Sequence, residues 1–313
     1  MHLDSCRELK RSLIDRTGEL TSGIEVPWLG LGLSRTAGGG YSLAVRVRDT
    51  TEASGLLGTL AHEAHDEIDV KAIGEVRALT DEFDPGDLQT RRRPLVPGCS
   101  VSHPEVTAGT LGAFVVLDGA VHVLSNNHVL ANSGQGTVGD EAWQPGTADG
   151  GGQDDLIGEL AAFSNLSPDG PNIIDAAIAR LGEGVEFDPA AYPGGPVTTV
   201  VEDLPADHRV EKLGRTTGHT RGRITAFEVD GLRITFPHGE LTFDDQIEIS
   251  GDGGGFSDGG DSGSLIWASA ERGAVGLLFA GSQSGGPDGT GLTYANQFQS
   301  VLEEFGARLA APA

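Results

Sequence analysis

The chain of 313 residues is long enough for two domains, or for one large domain with an extension. Hydrophobic residues make up 38% of it, which permits a sizeable core, and no apolar run approaches the roughly 20 residues of a membrane-spanning helix. The net charge of −25 argues against a nucleic-acid partner, because phosphate binding needs a cationic surface. The first ten residues lack the apolar stretch of a secretory signal, so we expect a cytoplasmic protein without a membrane partner.

Residues 1–80 predict a small α+β domain. Leu9 and Leu13 fall at helical spacing and indicate a helix over residues 1–20, and a second helix is expected over 51–65. Alternation of apolar and polar residues predicts a strand over 41–48. Two further strands are expected over 24–33 and 68–77.

The segment 81–104 reads as a linker, because it is rich in Asp, Arg and Pro. Its basic run Arg91–Arg93 is interpreted either as a solvated part of the linker or as a processing site. The two cysteines, Cys6 and Cys99, are far apart and show no metal-site spacing. We predict two free thiols, with a disulfide between them as the alternative.

From residue 105 onward, short apolar runs alternate with Gly, Pro and Asp turns, and the chain contains 48 glycines without a fixed period. This texture is typical of an all-β fold with about a dozen strands. The Asp-Gly pairs at 118–119 and 230–231 favour hairpin turns. An amphipathic helix is predicted over residues 296–310, with a buried stripe of Leu302, Phe305 and Leu309.

Three segments of this β region carry the residue types that metal-free hydrolysis of a peptide bond needs. His128 follows an apolar strand and could act as a general base. Asp175 stands within an apolar run, where a charge requires a partner such as a histidine N–H. Ser262 is flanked by glycines, which let backbone N–H groups reach a substrate carbonyl. Taken singly, each has an ordinary alternative: a structural histidine, a turn-capping aspartate and a Gly/Ser turn.

Taken together, the three segments indicate a hydrolytic site more specifically than any one of them does. Their chain order is His, Asp, Ser, with separations of 47 and 87 residues. This is the order of chymotrypsin and differs from that of subtilisin and of the α/β-hydrolases. Two β-barrels with a cleft between them would bring the three side chains together.

Residues from about 105 to 300 resemble a trypsin-like (chymotrypsin-fold) serine peptidase. The resemblance rests on NNHV at 126–129, IIDAAIA at 173–179 and GGDSGSLIW at 259–267. The stretch 210–218 is similar to the hairpin that opens the second barrel in bacterial members, and 107–115 to the first strand of the first barrel. The layout is similar to a group of non-secreted bacterial members with an N-terminal extension.

The resemblance implies a serine endopeptidase with a two-barrel protease domain at 105–313. The distinct texture of residues 1–80 and the linker that follows them suggest that the N-terminal domain is regulatory, or an adaptor for a regulatory partner. Ser262 would be the nucleophile, His128 the general base, and Asp175 the residue that orients the imidazole. The backbone N–H groups of Gly260 and Ser262 would form the oxyanion hole. The substrate would be a protein or peptide, with no cofactor and no metal.

The resemblance also implies a buried Asp261 paired with an internal Arg or Lys that the sequence does not identify. Counting six residues back from Ser262 puts Phe256, followed by Ser257, at the floor of the pocket for the P1 side chain, which precedes the scissile bond. No acid stands at the floor, so an apolar or small P1 residue is expected. The facing wall would consist of Phe279, Ala280 and Gly281.

Other interpretations remain open at this point. A catalytically silent relative would bind peptides or partners without cutting them, and an esterase would use the same three residues. His62 and His65 could share a helix face and bind a metal, or lie on a solvated helix. The acidic loop 146–155 could bind Ca²⁺, but a surface loop is the simpler interpretation.

Overall fold

The computed structural model describes residues 1–16, 28–36, 38–51, 53–78, 86–201, 208–286 and 289–312. The helices are α1 (Leu3–Asp15), α2 (Ser54–Glu63), α3 (Asn127–Leu130) and α4 (Phe298–Phe305). The first strands are β1 (Trp28–Arg35), β2 (Tyr41–Val47), β3 (Ile68–Ala72), β4 (Val76–Ala78), β5 (Ser100–Val101), β6 (Gly109–Thr110), β7 (Ala113–Leu117), β8 (Ala120–Ser125), β9 (Glu141–Trp143), β10 (Leu156–Phe163) and β11 (Ala177–Leu181). The remaining strands are β12 (Thr199–Val200), β13 (Arg209–Gly214), β14 (Gly218–Asp230), β15 (Leu232–Phe236), β16 (Gly239–Phe243), β17 (Gln246–Gly251), β18 (Leu265–Ala268), β19 (Gly273–Ser282), β20 (Thr293–Gln297) and β21 (Arg308–Leu309).

The N-terminal unit, residues 1–78, has the predicted α+β texture. Helix α1 buries Leu13 against β1 and β2, which pair antiparallel, and β3 adds to β2 in parallel. The predicted helix over 51–65 is confirmed as the shorter α2, and His65 lies beyond its end at a φ of 51°. His62 and His65 therefore do not share a helix face. Residues 17–20 and 24–27 of the predicted elements lie outside the described residues.

The prediction of one strand over 68–77 is wrong. The chain leaves β3 after Ala72 and turns at Gly74, whose φ is +67°. It then forms the separate strand β4, which pairs with β15 and β19 instead of the N-terminal sheet. The turn at Gly74 therefore places β4 beside β15 and β19 instead of next to the strands of the N-terminal unit.

The first barrel is a six-stranded sheet in the order β21-β7-β8-β11-β10-β9. The predicted hairpin at Asp118-Gly119 is confirmed, because both residues have positive φ and join the paired strands β7 and β8. Leu95, Cys99 and Val101 belong to its core, so the segment predicted as a linker contributes buried side chains. The division of the chain into domains at residues 80 and 105 stays a prediction.

The second barrel closes on itself. Its strands follow the ring β13-β14-β17-β20-β19-β18, and β18 returns to pair with β13. The predicted hairpin over 210–218 is confirmed as β13 and β14. The hairpin predicted at Asp230-Gly231 is wrong, since β15 pairs with β16 and β4 in the described residues. A fold of two barrels with few helices agrees with the all-β prediction.

The C-terminal helix is shorter than predicted. Helix α4 ends before Gly306, whose φ of +61° fits the left-handed residue that commonly follows a helix. Leu302 is buried as expected and Phe305 is partly buried, but Leu309 lies in β21, which pairs with β7 of the first barrel. None of the described helices is long and apolar enough to cross a membrane.

Both cysteines are free and buried, as the sequence predicts. Cys6 lies in the core of the N-terminal unit and Cys99 in that of the first barrel. Burial raises the pKa of Cys6 to about 11 and that of Cys99 to about 12. Because the thiolate is the reactive form, both thiols are chemically quiet at neutral pH.

A buried ion pair joins the N-terminal unit to the second barrel. Arg46 of β2 donates to Glu248 of β17 at 2.5 and 2.8 Å, and both side chains are excluded from solvent. Thr225 and Tyr294 also donate to the Glu248 carboxylate, at 2.7 and 3.1 Å. Burial opposes ionisation of Glu248, but the charge and hydrogen bonds of Arg46 outweigh it and lower its pKa to about 2.

Replacement of Arg46 tests this junction. Arg46→Met would leave the Glu248 carboxylate buried without its main partner, and the free energy of unfolding at neutral pH should fall by about 3–5 kcal/mol. Arg46→Met/Glu248→Gln removes both charges and should recover most of that loss. Urea denaturation of the wild type and both variants measures the difference. Equal losses in the single and double variants would contradict the assignment.

The pair also predicts a pH dependence. Because the pKa of Glu248 in the folded state lies below its ordinary value of 4.5, the pair stabilises the fold above that value and its contribution is lost as the pH falls towards 2. The stability of the wild type relative to the double variant should therefore fall as the pH is lowered from about 5 towards about 2.

Candidate active site

His128 and Asp175 form a direct hydrogen bond. His128 lies in α3, immediately after β8, and its Nδ1 is 2.5 Å from Asp175 Oδ2. The backbone N–H of His128 donates to the other carboxylate oxygen at 3.1 Å. An ionised carboxylate can only accept, so Nδ1 donates and Nε2 is the acceptor of the imidazole. Nε2 is buried and has no hydrogen-bond partner among the described residues, so no hydrogen bond joins it to the hydroxyl of Ser262 in this structure.

Asp175 is held by amides from both barrels. Asn126 of the first barrel donates its Nδ2 to the Asp175 carbonyl at 2.6 Å. Asn296 of the second barrel accepts the Asp175 backbone N–H at 3.0 Å. Gln246 in turn accepts from Asn296 Nδ2 at 2.7 Å and donates to the carbonyl of Ile173 at 2.8 Å. These hydrogen bonds fix the backbone of Asp175 on both sides of its side chain.

Ser262 lies in the tight turn that precedes β18. The turn requires left-handed backbone at Gly260 and Gly263, whose φ angles are +87° and +94°. Both sites are also too crowded for a side chain: a Cβ would lie 2.2 Å from Arg215 Nη1 at the first and 2.1 Å from Ser125 Oγ at the second. Ser262 Oγ donates to the carbonyl of Phe279 at 3.5 Å, which is long for a hydroxyl hydrogen bond.

Thr110 ties this turn to the first barrel. Its N–H donates to the carbonyl of Ser262 at 2.7 Å, and its hydroxyl donates to the carbonyl of Gly260 at 2.9 Å. Its own carbonyl accepts from Ser125 Oγ at 2.7 Å, and Ser125 stands three residues before His128. The turn that carries Ser262 and the segment that carries His128 therefore share one set of contacts.

A series of aromatic ring contacts also connects His128 with Phe279, the residue that accepts from Ser262. The His128 ring meets Phe236 edge-on, with centroids 5.9 Å apart. Phe236 stacks on Phe243 at 6.0 Å, and Phe243 contacts Phe279 at 4.9 Å. Phe279 is the residue whose carbonyl accepts from Ser262. The candidate site therefore lies where the two barrels meet.

Only some of the residues predicted for the P1 pocket lie next to the Ser262 turn. Phe256 is buried in the core of the second barrel, where its ring would meet a Cβ at position 222. Ser257 shares a hydrogen bond of 2.6 Å with Thr293. Phe279, Ala280 and Gly281 lie on β19, directly after the residues that pair with the Ser262 turn. The pocket itself stays a prediction.

Neither a known protein family nor a curated protein matches the sequence. Among solved structures, a glutamic-acid-specific serine protease that uses a histidine triad in substrate binding has a TM-score of 0.50 at 19% identity, covering 69% of this chain and 100% of that one. The alpha-lytic protease homolog N4 has a TM-score of 0.50 at 18% identity, covering 69% and 99%. Thermobifida fusca protease A has a TM-score of 0.49 at 18% identity, covering 69% and 98%.

The chain has the chymotrypsin-like fold. The six-stranded sheet, the closed second barrel and the junction between them agree with this assignment. The identities are too low to carry more than the fold, so the chemistry must be argued from the side chains of this chain.

Within the chymotrypsin-like fold, the partner of Asp261 was left unidentified by the sequence. Lys212 of β13 supplies it, with Nζ 3.2 Å from the carboxylate, and both side chains are fully buried. The carboxylate also accepts from the N–H groups of Thr216 and Thr217 at 3.0 and 3.2 Å. Burial lowers the pKa of Lys212, and the charge of Asp261 opposes that shift. Alternation along β13 could have marked Lys212 as an inward-facing cation.

A second buried pair was also missed. Arg215 forms an ion pair with Asp149, and neither side chain reaches solvent. Asp149 belongs to the acidic loop 146–155, which the sequence analysis favoured as a surface loop. Its carboxylate instead anchors the guanidinium that lies beside Gly260. The pair connects a loop of the first barrel with the turn that carries Ser262.

Lys212→Met tests the role of the pair with Asp261. An unpaired buried carboxylate should lower the free energy of unfolding by about 3–5 kcal/mol and disturb the turn next to Ser262. The double variant Lys212→Met/Asp261→Asn removes both charges and should be closer to the wild type in stability. Urea denaturation and the rate at which Ser262 reacts with a fluorophosphonate are the two measurements. An unchanged rate in the folded single variant would show that the pair does not shape the turn.

Proposed function

We propose that the protein is a serine endopeptidase that hydrolyses peptide bonds through an acyl-enzyme. The observation that carries the proposal is the 2.5 Å hydrogen bond from His128 Nδ1 to a fully buried Asp175, which leaves Nε2 as the acceptor of the imidazole. Solved serine proteases with the same fold support the class of reaction.

The reaction follows from these roles. Ser262 Oγ would attack the carbonyl carbon of the scissile bond while its proton passes to His128 Nε2. Asp175 would stabilise the imidazolium that forms, through the hydrogen bond at Nδ1. The imidazolium would then protonate the leaving amine nitrogen, so that the peptide C–N bond breaks and the acyl group stays on Ser262. Water, deprotonated by the same imidazole, would release the acid and restore the hydroxyl.

The tetrahedral intermediate carries a negative oxygen that needs fixed donors. We assign the backbone N–H groups of Gly260 and Ser262 to this task, as expected from the sequence. The N–H of Gly260 shares its peptide plane with the carbonyl of Gly259, which accepts from Thr216 Oγ1 at 2.6 Å, and Thr110 holds the next carbonyl, that of Gly260. Donors positioned beforehand contribute more than donors that must reorganise during the reaction.

One observation favours a second candidate, a peptide-binding or partner-binding module without catalysis. His128, Asp175 and Ser262 are nearly or wholly excluded from solvent, at 4%, 0% and 0% exposure. A site in this state cannot receive a substrate without a rearrangement. Chemical reactivity of Ser262 separates the two candidates.

Ser262→Ala provides the main test. A fluorophosphonate probe should attach to the wild type once per chain, because a serine activated by an imidazole attacks phosphorus as it attacks a carbonyl carbon. Ser262→Ala and His128→Ala should each reduce the labelling rate by at least about a thousandfold. Intact mass spectrometry measures the adduct.

The matched control is Ser269→Ala, which removes a serine at the far end of β18 and should label like the wild type. Labelling that persists in Ser262→Ala would refute the assignment of the nucleophile. No adduct under any condition, in protein that remains folded, would favour the binding module.

The P1 preference gives a separate prediction. Asp258 is exposed and accepts the N–H of Gly259 at 2.8 Å, and Phe256, at the predicted floor, is apolar. We therefore expect peptides with an apolar or small P1 residue to be cleaved at least about tenfold faster than peptides with Arg or Lys. Cleavage of a library varied at P1 measures the ratio, and a dominant preference for Arg or Lys would overturn the pocket assignment.

A further inference from the structure

A strand of the N-terminal unit covers the candidate site. Strand β4 lies between β15 and β19, antiparallel to β19 and bridged in parallel to β15 at Arg77 and Thr235. The opposed residues of β4 and β19 are Val76 and Ser282, Arg77 and Gly281, and Ala78 and Ala280.

The position of β19 makes this pairing important. Immediately before the paired stretch, Leu278 exchanges backbone hydrogen bonds with the Ser262 turn: its carbonyl accepts from Gly263 at 2.8 Å and its N–H donates to Ser264 at 3.0 Å. The next residue, Phe279, accepts from Ser262 Oγ. The edge of β19 that begins at Ala280 is therefore the sheet edge next to the candidate nucleophile.

An extended peptide can bind to a protein by adding a strand to a free sheet edge. At Ala280, Gly281 and Ser282 that edge is already paired with the chain's own β4. A peptide that approached Ser262 along β19 would have to displace β4 first.

Side chains hold β4 in this place. Val76 is 1% exposed and packs in one core cluster with Phe236 and Phe279. Glu75, just before β4, accepts from Thr235 Oγ1 at 2.9 Å through its carboxylate and from the N–H of Gln283 at 3.3 Å through its carbonyl. Phe236 also meets the ring of His128, so the cover reaches both the base and the nucleophile.

The N-terminal unit keeps β4 close to the cleft. Strand β1 pairs with β14, and Arg46 of β2 pairs with Glu248, so two contacts that precede β4 in the chain fix the unit to the second barrel. A tethered strand rebinds at a high effective concentration, which makes even a three-residue strand an efficient competitor.

We propose that β4 is a self-inhibitory strand that occupies the substrate edge of β19 and keeps Ser262 latent until it is displaced. This inference rests on the proposed function and adds its regulation. The N-terminal unit is then a regulatory element, and whatever displaces β4 is the activating event.

A reversible disulfide tests the proposal directly. Ala78 and Ala280 are opposed in the antiparallel pair, where Cα atoms lie about 4.5–5.5 Å apart, within the range a disulfide spans. Ala78→Cys/Ala280→Cys should close under oxidation and reopen with dithiothreitol. Oxidation should slow fluorophosphonate labelling of Ser262 at least about tenfold, and reduction should restore the rate of the Ala280→Cys single variant.

The control for the lock is Ala280→Cys alone, whose labelling should not respond to the redox state. The native thiols do not interfere, because Cys6 and Cys99 are buried with raised pKa values.

Val76→Asp tests the opposite direction. A carboxylate in place of a buried valine should expel β4, raise the labelling rate at least about tenfold and increase amide hydrogen exchange at Ala280–Ser282. Val138→Asp is the control for the added charge, since Val138 is 61% exposed and lies outside the N-terminal unit. It should leave the labelling rate near that of the wild type. If Val76→Asp does not fold, the disulfide decides alone.

The outcomes separate the two proposals. Equal labelling of the oxidised and reduced lock would overturn self-inhibition while leaving Ser262 a reactive nucleophile. Faster amide exchange in Val76→Asp without labelling in any variant would overturn the proposed function, and the regulatory proposal with it. Slow labelling when locked and fast labelling when expelled would support both.

Discussion

Three hydrogen bonds at Thr110 are the constraint on which the candidate site depends. The N–H and the hydroxyl of this residue bind two carbonyls of the Ser262 turn, and its carbonyl receives the hydroxyl of Ser125. A serine hydroxyl and an imidazole on separate barrels can act together only if those barrels are registered to a fraction of an ångström. Core packing alone would leave the two layers free to slide, whereas directed hydrogen bonds fix one alignment.

Buried ion pairs in and around the second barrel also fix the arrangement of the elements that they join. Arg46–Glu248, Lys212–Asp261 and Arg215–Asp149 each bridge elements that are distant in sequence, and all six side chains are nearly or wholly excluded from solvent. Such pairs contribute little net stability, since desolvation cancels much of their attraction. Their value lies in the penalty of separating them: a misaligned unit would leave a bare charge in the interior. They therefore select one arrangement of the N-terminal unit, the loop 146–155 and the Ser262 turn.

The sequence predicts the parts of this molecule whose signals are local. Asp118-Gly119 is a hairpin because two adjacent residues can adopt positive φ, and the Ser262 turn is recognisable because its glycines are required by crowding. The pairing of His128 with Asp175 could be predicted only through chain order and resemblance, since 47 residues separate them. Residues that pair across long stretches of sequence carry no local signal that identifies their partners. Asp230-Gly231 has the composition of a hairpin, but the strand that follows it finds better partners in β16 and β4.

The position of β4 could not be predicted from the local sequence either, and this position bears on the proposed regulation. Val76 reads as the apolar end of a strand over 68–77, and nothing local indicates that Gly74 turns it into the cleft. Because β4 is only three residues long, its backbone pairing is weak, and its hold on β19 depends on the buried Val76 and on the tether. Under our proposal, β4 stays bound to β19 when other extended chains meet the site, and it dissociates when the N-terminal unit moves. The edge of β19 to which we propose that a substrate binds is thereby kept paired, which also protects it from association with other strands.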